Sequence, residues 1–216
     1  MEITWFGHSC FRFYERGSAT VITDPYDEQV TGHIPLDVVG DIVTISHDKP
    51  GHNHVSAVKG EPFIISGPGE YEIGGVFITG LQTNGKNPLT NPDERNTMYV
   101  FDFDGLKIAH LGGINRLPYQ SEVEELGIVH VMLVPVGSSS TLNPVQTAEL
   151  VNLIEPNIVI PMHYMTDSSK IKLEPLNKFL KEMGLTSVEP LESLKIANAR
   201  NLPEETQVVI LNAVNN

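Results

Sequence analysis

Short apolar or alternating segments fill most of the first half of the chain, and this pattern predicts β-strands. Glycine, proline and asparagine separate the segments, as turns between strands require. Hairpins are predicted around Gly74-Gly75 and around Asp104-Gly105, a pair that favours tight turns. The stretch 84–96 lacks periodicity and is predicted to be a loop. The strand-rich segments cover residues 2–6, 10–14, 19–23, 41–46, 62–66, 71–79, 97–103 and 106–110.

Helical patterns alternate with strands in the second half. A helix is predicted over 143–154, because Asn143 can cap it, Pro144 suits its first turn and apolar residues form a wide face. A second helix is predicted to end at Gly184. Its apolar positions are Leu176, Phe179, Leu180 and Met183. Strands are predicted over 129–136, 157–161 and 207–211. The pattern predicts an α/β fold, and the absence of a linker predicts one domain over 1–216.

Composition narrows the functional classes. The 216 residues are 40% hydrophobic, which is enough for a sizeable core, and no apolar run is long enough to predict a membrane span. The first residues do not resemble a signal peptide, and Cys10 is the single cysteine, so a cytoplasmic protein without disulfides is expected. The net charge of -13 argues against nucleic acid as a partner. A small molecule is the expected partner.

Histidines follow two apolar segments of the chain. The runs 41–47 and 157–163 each lead a predicted strand into a histidine, His47 and His163. Strand ends are where α/β folds hold their chemistry, so the two histidines are candidates for one site. His52 and His54 lie in the loop after His47, and neutral imidazole is a common metal ligand. The alternative is that this loop is polar surface, and His54 is the weaker candidate.

Seven short motifs, in order along the first 165 residues, resemble those of the metallo-β-lactamase superfamily, in its small bacterial branch of lactonase-like and unassigned metal-dependent hydrolases. They are Trp5-Phe6-Gly7-His8-Ser9-Cys10-Phe11, Thr23-Asp24-Pro25, Ser46-His47, Gly67-Pro68-Gly69-Glu70-Tyr71, Ala109-His110-Leu111-Gly112, Val134-Pro135-Val136-Gly137 and Pro161-Met162-His163-Tyr164. The resemblance implies a four-layer αββα sandwich of two mixed sheets, with a two-metal hydrolytic site at one edge.

The chain departs from the family's ligand pattern. In the signature His-x-His-x-Asp-His, His47 and His52 match the ends, but Lys49 replaces the second histidine and Gly51 the aspartate. A further ligand histidine, expected near residues 83–85, is missing, and Gly113 stands where a bridging aspartate is expected. Four of seven expected ligand positions are changed, and His163 completes the three that remain. A two-metal site of the usual kind is therefore not expected.

Three functions stay open on this reading. The favoured one is a depleted homologue, weakly active or non-catalytic, that binds a ligand or partner. The alternative is a hydrolase with one divalent metal, zinc first, on His47, His52 and His163, acting on a small ester, lactone or phosphorylated substrate. Lys49 joins these catalytic candidates as a fixed cation that replaces the charge of one metal. The third is a structural subunit, and neither the oligomeric state nor the presence of any metal follows from the sequence.

Four more residues are expected at the pocket, each with an alternative. His8 and Asp24 either line the pocket or form a buried polar pair. Asp48 offers a stray carboxylate, and His110 either joins the site or is a satisfied strand-end histidine. The serines at 138–140 could line the pocket or form a plain loop. The residues read as structural are Cys10, His33, Glu70, Tyr71 and His130.

Overall fold

Two mixed β-sheets packed face to face form the centre of the protein in a computed structural model, which describes residues 1–84, 95–137 and 140–214. The strands are β1 Glu2–Gly7, β2 Cys10–Tyr14, β3 Val21–Thr23, β4 Val38–Val39, β5 Ile42–Thr44, β6 Val58–Lys59, β7 Phe63–Ile65, β8 Gly69–Ile73, β9 Val76–Asn84, β10 Arg95–Phe103, β11 Leu106–His110, β12 Val131–Pro135, β13 Ile158–Met162, β14 Leu194–Lys195 and β15 Gln207–Val208.

The two large sheets combine antiparallel and parallel pairs. The six-stranded sheet has the order β14-β1-β2-β3-β5-β7 and becomes parallel from β3 onward. The seven-stranded sheet has the order β15-β13-β12-β11-β10-β9-β8 and is parallel from β11 through β15. A small parallel pair, β4-β6, lies apart from both. The parallel strands end in loops that can carry a site, as in other α/β folds.

The core lies between the two sheets. Phe13 on β2 and Phe101 on β10 are fully buried, and their rings meet edge to face with centroids 5.1 Å apart. Alternation along β2 puts Phe11 and Phe13 into this layer and leaves Tyr14 exposed. Each fully buried aromatic or aliphatic side chain contributes about 1.5–3 kcal/mol, so this layer supplies the main driving force for folding.

The α-helices in the part of the chain that the structure describes are short. The structure confirms the sandwich class predicted from the sequence. The helices are α1 Glu28–Thr31, α2 Gln120–Leu126, α3 Pro144–Ile154 and α4 Leu176–Glu182. Asn143 caps α3 as predicted: its side chain accepts from the backbone N–H of Gln146, whose own side chain accepts from Asn143. Helix α3 buries Leu150 and Val151. No helix among the described residues is long and apolar enough to cross a membrane.

The predicted loop over 84–96 is wrong at both ends. Asn84 ends β9, Arg95 begins β10, and the two residues pair across the ladder. Backbone pairing extends this ribbon beyond its apolar part, so the side chains carry no periodic signal there. Residues 85–94 lie outside the described residues, as do Ser138 and Ser139. Helices α1 and α2 were not predicted, because α1 has only one turn and α2 buries only Leu126, so neither shows an apolar helical face.

Candidate functional site

Loops after strand ends of both sheets bring the candidate residues together. His8 follows β1, Asp24 follows β3 and His47 follows β5 in the six-stranded sheet, while His163 follows β13 in the seven-stranded sheet. His52 lies in the loop after His47, which is closed by a hydrogen bond from the His52 N–H to the Lys49 carbonyl at 2.8 Å. The ends of these strands therefore carry the candidate residues into one region of the protein.

Asp24 is the hydrogen-bonding centre beneath the site. Its carboxylate is fully buried and accepts from the Ser46 N–H at 2.7 Å, from the Ser46 hydroxyl at 2.5 Å and from His52 Nδ1 at 2.8 Å. Burial alone would raise the pKa of Asp24, but the hydrogen bond and charge of His52 outweigh it and lower that pKa to about 2. Asp24 is therefore ionised at neutral pH and acts only as an acceptor.

An ionised Asp24 fixes the tautomers of two histidines. Because a carboxylate can only accept, His52 Nδ1 carries the proton that it donates to Asp24. The single Ser46 hydroxyl proton also goes to Asp24, so His47 Nδ1 donates to Ser46 Oγ at 2.8 Å. In its neutral form each of these imidazoles therefore keeps a free lone pair on Nε2. Carboxylates that orient histidines in this way are typical partners of metal ligands.

A cavity of about 440 Å³ opens above these histidines. The residues that line it are His8, Val30, His47, Lys49, Pro50, Gly51, His52, Arg95, Asn96, Gly113, Asn115, Ser140, Thr141, His163 and Ile171. Among these described residues, Lys49 and Arg95 are the charged side chains apart from the histidines, and no carboxylate is included. A second cavity of about 490 Å³ shares His47 and Arg95 with the first. The site thus joins a volume large enough for a small molecule.

The described residues contain two groups of possible metal donors, and within each group the donor atoms lie within 4.8 Å of one another. The first consists of His8, His52 and His163, all buried, and the second consists of Asp24, His47 and His52. His52 belongs to both, whereas His47 and His163 share neither. The predicted trio of His47, His52 and His163 is therefore divided between the two groups, and His8 takes its place beside His52 and His163.

Burial keeps three imidazoles of the cavity, those of His8, His47 and His163, uncharged at neutral pH. It lowers the pKa of His163 to about 3, with a further contribution from neighbouring His52. It lowers the pKa of His47 to about 3 in the same way and lowers that of His8 well below its ordinary value. His163 Nδ1 is buried without a hydrogen-bond partner among the described residues. Neutral imidazoles with an unpaired nitrogen are suited to metal binding.

Three site residues hold a left-handed backbone. The φ angles are 51° at His8, 40° at Asp24 and 55° at His163, whereas glycine or asparagine normally occupies this region. Hydrogen bonds hold His8 in place, since its carbonyl accepts from the His163 N–H at 3.0 Å and from Trp5 Nε1 at 3.2 Å. Strained residues of this kind cluster at functional sites.

Histidine rings fill the space beside the two glycines that replace expected carboxylates. A Cβ atom added to Gly51 would lie 2.9 Å from His8 Nε2, and one added to Gly113 would lie 2.7 Å from His47 Cε1. Side chains at these positions would therefore collide with the imidazoles unless the rings moved.

The remaining predicted residues lie around the site rather than in it. Lys49 is exposed at the rim of the first cavity, and Asp48 lines the second. Asp24 lies beneath the cavity floor and is absent from its lining. His110 is also outside both linings, because its Nε2 donates to the Ser9 carbonyl at 2.9 Å and its Nδ1 accepts from Gly112. Its surroundings match the alternative of a satisfied strand-end histidine.

Sequence reasoning missed His33 and Arg95. His33 Nε2 accepts from the His8 N–H at 3.2 Å, and its Nδ1 lies 3.1 Å from Ser168 Oγ, so His33 positions the turn that carries His8. The sequence around His33 has no periodicity or motif that could reveal this contact. Arg95 was assigned to a loop, and only the β9-β10 pairing brings it to the cavity.

Known proteins of one family match this chain. A family model described as the β-lactamase superfamily domain matches residues 2–163. A crystal structure from Thermotoga maritima, described as a candidate Zn-dependent hydrolase of the metallo-β-lactamase superfamily, is 36% identical, with 97% of each chain covered and a TM-score of 0.78. A UPF0173 metal-dependent hydrolase of Methanopyrus kandleri is 25% identical over 236 residues, covering 89% of this chain and 99% of the relative.

A second archaeal relative also matches this chain. A UPF0173 protein of Pyrococcus furiosus is 27% identical over 194 residues, covering 78% of this chain and 85% of the relative. The paired mixed sheets and the histidine-lined edge define a sandwich of the metallo-β-lactamase type. The chain belongs to the metallo-β-lactamase superfamily.

Proposed function

We propose that this chain is a hydrolase of small molecules that works with one divalent metal ion instead of two. The observation that carries the proposal is the placement of His52 and His163, two buried imidazoles at one cavity, with His163 Nδ1 unpaired among the described residues. Relatives named metal-dependent hydrolases support this class. We place the small-molecule substrate of such a hydrolase in the cavity of about 440 Å³ that the histidines line.

The donor atoms fit one ion better than two. In the group of Asp24, His47 and His52, the polar atoms already form hydrogen bonds. His52 Nδ1 bonds directly to Asp24, and His47 Nδ1 is linked to Asp24 through the Ser46 hydroxyl. A second ion there would have to replace these bonds inside a buried region. The group of His8, His52 and His163 has no such internal network, and it contains the unpaired nitrogen. One ion in that group is the simplest occupancy.

Zinc is the first metal to test, because three imidazoles are a known donor set for catalytic zinc. A bound divalent ion supplies Lewis acidity and makes a water molecule easier to deprotonate. Asp24 holds the His52 ring so that Nε2 remains a lone-pair donor. His47, held by Ser46 and uncharged at neutral pH, presents Nε2 as a hydrogen-bond acceptor for substrate or water.

The cations at the cavity favour substrates with a negative group. Lys49 and Arg95 line the cavity, and among the described residues neither takes part in an ion pair. The chain has a net charge of -13, but the described lining of this cavity contains two cations and no carboxylate, so its local charge is positive. Small esters, lactones and phosphate esters that carry an anionic group are the proposed substrates.

Metal analysis combined with turnover tests the proposal. The protein is treated with chelator, reloaded separately with zinc, manganese or iron, and analysed for bound metal and for hydrolysis of small esters, lactones and phosphate esters. His163→Asn tolerates the left-handed backbone and removes the imidazole, while His54→Ala changes a loop histidine outside both donor groups. About one equivalent of metal, with chelator-sensitive turnover lost only in His163→Asn, is expected. Two equivalents, or turnover that survives the chelator, would contradict the proposal.

A second candidate is a non-catalytic protein that binds a ligand in the same cavity. The observation that favours it is the filling of the space beside Gly51 and Gly113 by His8 and His47, which closes two positions where the family resemblance implies carboxylates. The same experiment separates the candidates. Metal or ligand binding without turnover on any substrate class would favour the second candidate over the first.

A further inference from the structure

We propose that the second cavity, of about 490 Å³, binds the zwitterionic end of a ligand, with a carboxylate against Arg95 and an ammonium group against Asp48. The inference rests on the proposed function, because that ligand is the substrate of the hydrolase. It goes further, because it names the charged groups that the substrate carries and assigns a subsite to them. The first cavity then holds the bond to be hydrolysed, beside the histidines.

The two cavities meet at His47 and Arg95, which line both of them. His47 follows β5 of the six-stranded sheet, and Arg95 begins β10 of the seven-stranded sheet. Each cavity has a volume in the range of about 300–1,000 Å³ that is usual for small-molecule sites. Because the two volumes adjoin at these residues, one ligand can extend from the imidazoles of the first cavity into the second.

The walls of the second cavity carry opposite charges, unlike those of the first. Asp48 and Arg95 both line the second cavity, whereas the described lining of the first contains the cations Lys49 and Arg95 and no carboxylate. The loop after β5 contributes the carboxylate and β10 contributes the guanidinium, so each sheet supplies one charge. A purely anionic ligand would be repelled by Asp48. A ligand that carries both charges is complementary to both walls.

The fold neutralises neither of these two charged groups. Asp48 and Arg95 form no ion pair with each other or with any third residue in the part of the chain that the structure describes. The Asn53 side-chain amide donates to Asp48 Oδ1, which orients the carboxylate without neutralising it. Unpaired charges are common on protein surfaces, because exposed ion pairs contribute little to stability. Here, however, the two opposite charges face one shared cavity.

Hydrogen bonds hold the backbone that forms the rest of this cavity. The hydroxyl of the fully buried Tyr99 accepts from the Gly67 N–H at 2.9 Å and donates to the Ile45 carbonyl at 3.0 Å. The Thr97 N–H donates to the Ser46 carbonyl at 2.8 Å. Gly67, Ile45, Thr97 and Ser46 all line the cavity, so these bonds join the two sheets around it. A site whose backbone is already fixed loses less entropy when a ligand binds.

Binding of matched charged probes tests the inference. The zwitterions are glycine, glycylglycine and triglycine, which separate the two charges by increasing lengths. Each is compared with its N-acetyl form, which keeps only the carboxylate, and with its amide, which keeps only the ammonium group. Affinities are measured by ligand-observed NMR at low ionic strength. The protein is treated with chelator, so that no probe binds through a metal ion.

Two variants each remove one charge from the second cavity. They are Asp48→Asn, which keeps an acceptor for Asn53, and Arg95→Gln. The matched controls are Glu70→Gln and Arg200→Gln, which remove exposed charges outside both cavity linings. Circular dichroism and thermal unfolding check that each variant folds.

The expected pattern separates the two charges. At least one zwitterion should bind the parent protein about five-fold or more tightly than either of its single-charge analogues, because charge-assisted contacts at both ends add. Asp48→Asn should weaken binding of that zwitterion and of its amide, but not of its N-acetyl form. Arg95→Gln should weaken binding of the zwitterion and of the N-acetyl form, but not of the amide. Both controls should match the parent protein.

Two outcomes would overturn the subsite. One is a parent protein that binds no zwitterion more tightly than its analogues, and the other is an equal loss for all three kinds of probe in both variants. Either result would leave the one-metal hydrolase intact, because metal content and turnover are measured separately. Conversely, the expected pattern in a protein that binds no metal would support the subsite and defeat the proposed hydrolase.

Discussion

Replacing Asp24 with asparagine tests the buried network most directly. The carboxylate accepts three hydrogen bonds, two from Ser46 and one from His52, and it is completely buried. Asparagine keeps one acceptor oxygen, so its amide nitrogen must face a group that now donates. The substitution is nearly isosteric, and the loss therefore reports hydrogen bonding and charge rather than a cavity.

The magnitude follows from the pKa and the hydrogen bonds. Asp24 has a pKa of about 2 against an ordinary 3.8, which corresponds to about 2 kcal/mol of stability at neutral pH. Mispairing of a buried, charge-assisted bond adds a cost of the same order, so Asp24→Asn should lose about 2–4 kcal/mol. For a chain of this size the melting temperature should fall by roughly 5–15 °C.

Urea unfolding followed by fluorescence of Trp5, the single tryptophan and a buried one, measures this loss. The matched control is Asp41→Asn, because Asp41 is exposed and accepts one hydrogen bond, from the Thr20 N–H. The parent should also lose about 2 kcal/mol of stability as the pH falls from 3.8 to about 2, a step that Asp24→Asn lacks. An Asp24→Asn variant within about 0.5 kcal/mol of the parent would refute the ionised network.

The same variant should weaken metal binding through His52. The asparagine amide donates toward Nδ1, so the His52 proton moves to Nε2 and removes the lone pair that would face the cavity. Orienting partners of this kind typically contribute about 10–100-fold in metal affinity. Cobalt titration of folded Asp24→Asn measures the effect, and unchanged affinity would show that the Asp24 bond does not select the tautomer.

Three further predictions concern the metal-free protein. Burial holds the pKa of folded His163 at about 3, whereas the ordinary pKa of a histidine is 6.5, so the unfolded chain binds more protons between these values. The free energy of unfolding should therefore be highest above pH 6.5 and should fall as the pH is lowered toward 3, which unfolding measured at a series of pH values checks. Tyr99→Phe should lose about 1–3 kcal/mol, because the Tyr99 hydroxyl accepts from Gly67 and donates to Ile45, whereas Tyr14→Phe at an exposed position should lose less than half as much in the same assay. Cys10, buried with a raised pKa, should resist a thiol reagent in the native protein and react after denaturation; fast native labelling would contradict this burial.

Local patterns were sufficient for most of the fold. Apolar segments located β1, β2, β12 and β13, and the capping residues Asn143 and Pro144 located α3. Pairing beyond the apolar region was invisible to such patterns, so the ends of β9 and β10 were assigned to a loop. Those boundaries are set by backbone hydrogen bonds, which any residue except proline can form, so the sequence does not reveal them.

The candidate site could be predicted only in part from the sequence. His47 and His163 were predicted because each follows a strand, and His52 because it lies in the loop after His47. Counting donors by position indicated losses at Gly51 and Gly113. Counting could not reveal which rings occupy the space beside those glycines, because that depends on contacts between distant parts of the chain. The grouping of His8 with His163 is a tertiary fact with no local signal.

The hydrogen bond between the His163 N–H and the His8 carbonyl has a consequence for how the protein is made. It joins residues 8 and 163, and contacts so far apart in sequence slow folding because a long loop must be closed. While the chain is being synthesised, the turn that carries His8 emerges long before its partner strand exists. The histidine pocket is therefore complete only after the ribosome has passed β13, since His163 follows that strand.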